Sequence, residues 1–345
     1  MDKVKRGNMV FPDGLWPVML TPYTRDHTID YEALERLIGW YEDQGADGLF
    51  AVCQSSEMFD LSLKERVQLA SFVKRISRLP VIASGHIGNS YQEQREELAA
   101  MAATGIDALV LISNRLATQE ETDDIFISNL ERLMEELPPE LPLGFYECPY
   151  PYKRILGPAI VKYLADTGRF YMIKDTCCDG QLIREKLKAA RESHLKIYNA
   201  NTATLVDSLR AGAAGYSGVM ANFHPALYRQ LLDKVSKEAE GKCACETSGH
   251  TEREYAGKTV RQQEEGLACQ TFGRWNQVEE LGWFLTMCSF IEKYKYPLNA
   301  KYAQSLLGNG FELVCRNPGT VALDFAEKEN VRQLLAISER WTDLR

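Results

Sequence analysis

Eight short apolar runs recur along this 345-residue chain, each followed by a longer stretch in which polar and apolar residues interleave. They occupy residues 15–21, 48–52, 80–84, 108–112, 143–146, 170–174, 196–199 and 214–219, at spacings of roughly 25–35 residues. Runs this short and this uniformly apolar suit strands buried on both faces, the condition of a parallel sheet covered by helices. The intervening stretches show a helical period most clearly at 31–44, 63–76, 91–104 and 120–137. Asp30, Ser62, Ser90 and Thr118 stand where their side chains can accept the first free N–H groups of those helices. Gly45 and Gly105 stand where the first and third of them end. Eight such units in about 230 residues fit a (β/α)8 barrel better than an open doubly wound sheet. The first strand–helix turn has no G-x-G-x-x-G phosphate loop, which weighs against a dinucleotide-binding fold. The expected class is α/β, a (β/α)8 TIM barrel over residues 8–236 with a C-terminal helical extension.

Two later segments leave this rhythm. Residues 237–265 are polar and without sustained period, and read as an inserted loop. Residues 266–345 return to helical patterning, broken near Tyr296-Pro297 and again near residues 316–318, and read as a subdomain of about three helices. Lys and Arg number 40 against 48 Asp and Glu, a net charge of −8. An acidic surface argues against nucleic acid or an anionic membrane as the main partner. The first residues lack an apolar h-region, and the most apolar later stretch, 281–291, is too short to span a bilayer, so a cytoplasmic location is expected. In that compartment the nine cysteines read as free thiols.

In such a barrel the chemistry lies at the C-terminal ends of the strands. Lys174 ends the sixth run and by alternation shares a face with Phe170 and Met172. An ammonium facing a barrel interior is costly unless it is paired or its pKa falls, and a desolvated lysine is what Schiff-base chemistry requires. The alternative is a strand-end lysine that reaches solvent or pairs with Asp175. Tyr146 ends the fifth run and could shuttle a proton. It could equally be a tyrosine packed against the rim.

Together these stretches resemble the dihydrodipicolinate synthase / N-acetylneuraminate lyase family of class I aldolases. The resemblance is carried by GLWPVMLTPY (14–23), GLFAVCQSSE (48–57), FYECP (145–149), YMIKDT (171–176), LRAGAAGYSGVMANFHP (209–225) and YPLNAKYAQSLLG (296–308). It implies that Lys174 forms an imine with an α-keto acid, that Tyr146 moves protons, and that Ser55 and Ser56 hold the carboxylate. Ser217 and Gly218 would border the imine. It also implies a homodimer or homotetramer, with neither cofactor nor metal.

The departures narrow the substrate. Where the family usually reads Gly-Thr-Thr-Gly-Glu, this chain reads Cys53-Gln54-Ser55-Ser56-Glu57. The relay tyrosine after strand 4 has no counterpart in Ile112-Ser113-Asn114-Arg115. The displaced arginine that follows the fifth strand would be replaced by Arg154, acting as an anion clamp. The sialate lyases of the family carry acidic residues after strand 7, where this chain reads Asn199-Ala200-Asn201-Thr202. With the missing tyrosine and the displaced arginine, sialic acid and the lysine-pathway reaction are therefore both disfavoured. Glu57 reads as a structural carboxylate, and His86 and His224 as structural histidines. Cys243, Cys245, His250 and Cys269 lack regular zinc spacing. The expectation is an aldolase or lyase acting on pyruvate or a 2-keto-3-deoxy sugar acid. The alternative is a catalytically silent paralogue that binds the keto acid, and a barrel hydrolase is disfavoured for want of paired strand-end carboxylates.

Overall fold

The computed structural model describes residues 11–247 and 276–343. Eight parallel strands run β1 (Gly14–Leu15), β2 (Leu49–Phe50), β3 (Val81–Ala83), β4 (Ala108–Ile112), β5 (Leu143–Tyr146), β6 (Phe170–Asp175), β7 (Lys196–Asn199) and β8 (Gly215–Tyr216). Their spatial order is β1-β8-β7-β6-β5-β4-β3-β2. A parallel bridge from Val18 to Phe50 joins the first strand region to β2 and closes the barrel. At the β1–β8 seam the backbones approach so closely that a Cβ on Gly215 would lie 1.8 Å from the Gly14 carbonyl oxygen. Only glycine fits there. The strand residues are buried almost throughout, as expected of a parallel sheet with both faces covered.

The covering helices are α1 (Tyr31–Asp43), α2 (Leu63–Ile76), α3 (Tyr91–Ala102), α4 (Asp123–Glu136), α5 (Pro158–Thr167), α6 (Gly180–Ala190), α7 (Leu205–Arg210) and α8 (Pro225–Thr247). Asp30 caps α1 by accepting the Ala33 N–H at 2.9 Å. Ser62 and Ser90 form reciprocal boxes with Glu65 and Glu93. The fourth cap differs from expectation. Thr118 donates its N–H to the Glu121 carboxylate at 2.7 Å in a separate turn, and α4 begins at Asp123 after Thr122.

The boundary drawn at residue 236 also shifts. Helix α8 continues to Thr247, so the start of the expected loop at 237–265 is helical. Lys237-Glu238-Ala239-Glu240 are strong helix formers that extend a helix already anchored by Leu231, Leu232 and Val235. Residues 248–265 lie outside the described residues, as do the side chains of Cys243, Cys245, His250 and Cys269.

Beyond the barrel come α9 (Gln277–Cys288), a 3-10 turn at Ser289–Lys293, α10 (Leu298–Leu306) and α11 (Phe325–Asp343). A cis peptide joins Tyr296 to Pro297 between the turn and α10. Among the described residues no helix is long and apolar enough to cross a membrane.

Candidate active site

The β5–β6 register sets Tyr146 directly opposite Lys174. Lys174 is 4% exposed, and its Nζ lies 4.2 Å from the centre of the Tyr146 ring and 5.9 Å from that of Phe50. Among the described residues no hydrogen-bond acceptor or carboxylate engages that amine. Burial lowers its pKa, opposed in part by Cys53, Cys148 and Glu292. Burial raises both of those thiols, so they stand beside the amine as neutral groups.

Asp175 does not pair with Lys174. Alternation turns it to the other side of the strand, where Lys186 of α6 reaches Asp175 Oδ2 at 2.6 Å and Glu147 Oε1 at 2.5 Å. All three side chains of this cluster are inaccessible to solvent. Glu147 also accepts the Leu156 and Thr176 N–H groups at 2.9 and 2.8 Å. The cluster therefore fastens the ends of β5 and β6 together behind Lys174 and Tyr146. Tyr146 is buried, and burial raises its pKa well above the ordinary tyrosine value, so the phenol keeps its proton. Its hydroxyl donates to Gln54 Oε1 at 3.4 Å.

Lys174 and Tyr146 open into a cavity of about 560 Å³ at the C-terminal mouth of the barrel. Ser55 and Gly218 line it, together with Lys153, Asn201, Glu292, Tyr296 and Asn317. A Cβ on Gly218 would lie 2.3 Å from the Tyr216 hydroxyl and 2.6 Å from the Ala200 carbonyl oxygen, so the wall there has to be glycine. Ser56 and Ser217 do not line the cavity. The Ser56 hydroxyl braces its own turn, accepting the Cys53 N–H at 2.7 Å and donating to the Cys53 carbonyl at 2.7 Å. Ser217 is fully buried and its N–H donates to Asn199 O at 2.9 Å. Its hydroxyl has no partner among the described residues.

Arg154 is the clearest correction. Its guanidinium bonds Asp123 at 2.9 Å and the Thr118 and Glu121 carbonyls at 2.6 and 3.0 Å, away from the cavity. The neighbouring Lys153 faces the cavity instead, with Nζ on the Thr176 carbonyl at 2.7 Å. Lys153→Ala is therefore expected to weaken the binding of a small carboxylate in this cavity about three- to tenfold, an exposed cation being worth on the order of 1 kcal/mol. Arg154→Ala is expected to leave it unchanged. Calorimetric titration with pyruvate reads both, and the reverse ranking would restore the arginine to the site.

The sequence model of the Dihydrodipicolinate synthetase family matches residues 12–251 of this chain. The chain belongs to that family. Among its relatives, the 4-hydroxy-tetrahydrodipicolinate synthase of Saccharophagus degradans is 28% identical over 236 residues, covering 67% of this chain and 76% of that protein. The enzyme of the same name from Haloarcula marismortui is 28% identical over 213 residues, 61% of this chain and 68% of that one. Solved folds agree along nearly the whole length. YagE, a prophage protein of the dihydrodipicolinic acid synthase family from E. coli K12 solved in complex with pyruvate, gives a TM-score of 0.72 at 22% identity over 95% of this chain and 98% of its own. The dihydrodipicolinate synthase of Acinetobacter baumannii, also complexed with pyruvate, gives 0.75 at 21% identity over 95% and 99%.

Within this dihydrodipicolinate synthetase family frame, the segments after β4 and β2 that depart from the family pattern have a clear layout. Asn114, after β4, spends its amide on the carbonyls of Cys148, Tyr150 and Tyr152 at 2.5–2.9 Å and organises the loop after β5. Glu57 is structural: Lys301 of α10 engages one oxygen, and the Arg316 N–H donates to the other at 2.7 Å. The two histidines are structural as well. His86 accepts the Ile112 N–H, His224 bonds Ser338 at 2.7 Å, and burial pushes both pKa values down to about 3. Sequence reading missed Tyr296, whose buried hydroxyl bonds Ser55 and accepts from Asn222 Nδ2 at 3.0 Å. Tyr296 stood at the break before Pro297 and opened the stretch 296–308, but neither signal says which way a phenol faces.

Proposed function

We propose that this protein is a cofactor-independent class I aldolase or lyase that forms an imine between Lys174 and an α-keto acid, either pyruvate or a 2-keto-3-deoxy sugar acid. One observation carries the reading. The Lys174 amine is desolvated, unpaired among the described residues, and set against a protonated phenol at the floor of an open cavity. The amine attacks the keto carbon, and Tyr146 protonates the departing hydroxyl of the carbinolamine. The iminium then withdraws electrons from the adjacent carbon. Ser55 faces the keto acid's carboxylate, and the Cβ-free wall at Gly218 leaves room for the flat imine. Pyruvate complexes of the E. coli and A. baumannii relatives support the substrate class.

Pyruvate with borohydride should add one reduced pyruvyl unit to the intact mass, and Lys174→Ala should abolish the adduct. Trapping should rise with pH about a midpoint below that of free lysine, about 10.4, because burial favours the neutral amine. No adduct, or one that survives the substitution, defeats the assignment.

Two substitutions favour a second reading, a paralogue that binds the keto acid without turnover. Gln54 stands where the family has a hydroxyl, and Asn114 where the synthases have a titrating phenol. Deuterium exchange into the pyruvate methyl group separates the two readings, since only a working site exchanges it.

A further inference from the structure

We propose that Glu292 is the acid–base residue for the aldehyde half of the reaction and that it selects uncharged, hydroxylated aldehydes. This deepens the reading above and rests on the imine at Lys174.

The C-terminal helices place Glu292 on the 3-10 turn at Ser289–Lys293, and its side chain lines the same cavity as Lys174 and Tyr146. Two other carboxylates reach that cavity. Glu57 is saturated by Lys301 and by the Arg316 N–H. Asp60 lies in the field of Glu57 and Arg316. Glu292 makes no hydrogen bond or ion pair among the described residues, and it is the carboxylate whose charge is felt at Lys174. Partial burial raises its pKa, which brings the acid form closer to working pH. A half-buried carboxylate with no structural bond to keep, lining the same cavity as an imine-forming lysine, is placed for proton transfer.

In condensation, the pyruvyl iminium gives a methyl proton to cavity water to become the enamine, whose terminal carbon attacks the aldehyde carbon and forms the new C–C bond. The carbonyl electron pair moves to oxygen, which takes the Glu292 proton. Water then hydrolyses the iminium, releasing the product and the Lys174 amine, and solvent reprotonates Glu292. In cleavage, the Glu292 carboxylate takes the hydroxyl proton, the C–C bond breaks, and its electrons pass into the iminium to give the enamine. The enamine takes a proton from cavity water at carbon and is hydrolysed to pyruvate and the free Lys174 amine. The proton balance closes in both directions without an external oxidant or reductant.

The surroundings select the aldehyde. Asn201, Asn317 and Thr176 line the same cavity and offer hydrogen bonds to hydroxyl groups. A carboxylate on the incoming aldehyde would lie beside Glu292, which is charged whenever it has given up its proton. Lys153, a cation of this cavity, is taken by the keto acid's own carboxylate in this reading.

The test uses the full-length protein and Glu292→Gln, with pyruvate alone and then with D-glyceraldehyde or succinic semialdehyde. Pyruvate methyl deuterium exchange should stay within about threefold of the parent, which also shows the variant to be folded. Condensation with D-glyceraldehyde should fall about 100-fold, and Glu292→Asp should recover part of it. The parent should prefer D-glyceraldehyde over succinic semialdehyde by at least about tenfold. Unchanged condensation in Glu292→Gln overturns the proposal. So does a parent that prefers the anionic aldehyde, or one that exchanges pyruvate but condenses with neither. Absence of the borohydride adduct at Lys174 is a separate failure, and it removes the imine on which the proposal stands.

Discussion

Lys186→Met is expected to lower the unfolding free energy by about 3–5 kcal/mol at pH 8, the usual consequence of removing one member of a buried ion cluster. Lys186, Glu147 and Asp175 are sealed from solvent, and the lysine is the cluster's cation. Without it, two carboxylates are left facing each other in a site that water does not reach. Burial, and then Asp175, already raise the Glu147 pKa with the lysine present, and its removal pushes in the same direction. The sign of the pH dependence follows. A raised carboxylate binds a proton in the folded state that the unfolded chain releases near pH 4.3. Stability is therefore full below that value and is lost as pH rises through the folded pKa. The deficit relative to the parent should be smaller at pH 5 than at pH 8. Urea denaturation at both pH values reads it. A deficit under about 1 kcal/mol, or one equal at the two pH values, would contradict a charged cluster.

The same substitution bears on catalysis. Glu147 holds the Thr176 and Leu156 N–H groups and follows Tyr146 directly, while Asp175 follows Lys174 directly. Loosening that staple shifts the phenol relative to the amine, and misplacement by about 1 Å costs on the order of 100-fold in rate. Any folded Lys186→Met protein should therefore lose turnover well before it loses its secondary structure.

What the sequence could and could not say divides along physical lines. Lys174 was legible because a lysine ending an apolar strand violates the pattern around it, and Tyr146 because the parallel register carries the same position to the neighbouring strand. β3 to β7 were legible as apolar runs for the same reason. β1, β2 and β8 shrink to two residues each, because closure of the barrel there rests on a tight glycine seam and an isolated bridge. The loop after β5 has no period, so nothing local told Lys153 from Arg154. Lys186 and Lys301 look like solvent-facing helix residues until the chain brings them to Glu147 and Glu57, 39 and 244 residues away. Glu292 and Tyr296 were hidden in the same way, on a C-terminal segment whose return to the barrel mouth leaves no local mark.

Tyr146→Phe is expected to cut turnover by about 10²–10⁴, the usual contribution of a placed proton donor. Borohydride should still trap pyruvate on Lys174, though more slowly. The two readouts separate because they ask different things of the phenol. Trapping needs the amine, which is untouched and still desolvated, and any pocket water can serve the carbinolamine. Turnover needs a proton delivered and recovered at the same place in every cycle. Among the described residues Tyr146 bonds the carbonyl oxygen of Gln54, which does not titrate, and the Cys148 thiol, which burial keeps protonated. Neither neighbour is charged at neutral pH, so the phenol proton exchanges with the substrate or with cavity water. That makes the site more dependent on the single hydroxyl than a continuous relay would be. Removing the phenyl edge that faces Lys174 is not the cause, because phenylalanine keeps the ring 4.2 Å from the amine. Intact-mass trapping and pyruvate methyl exchange, run side by side on parent and variant, give the split. Equal losses in both would assign Tyr146 to holding Lys174 in place instead of moving protons.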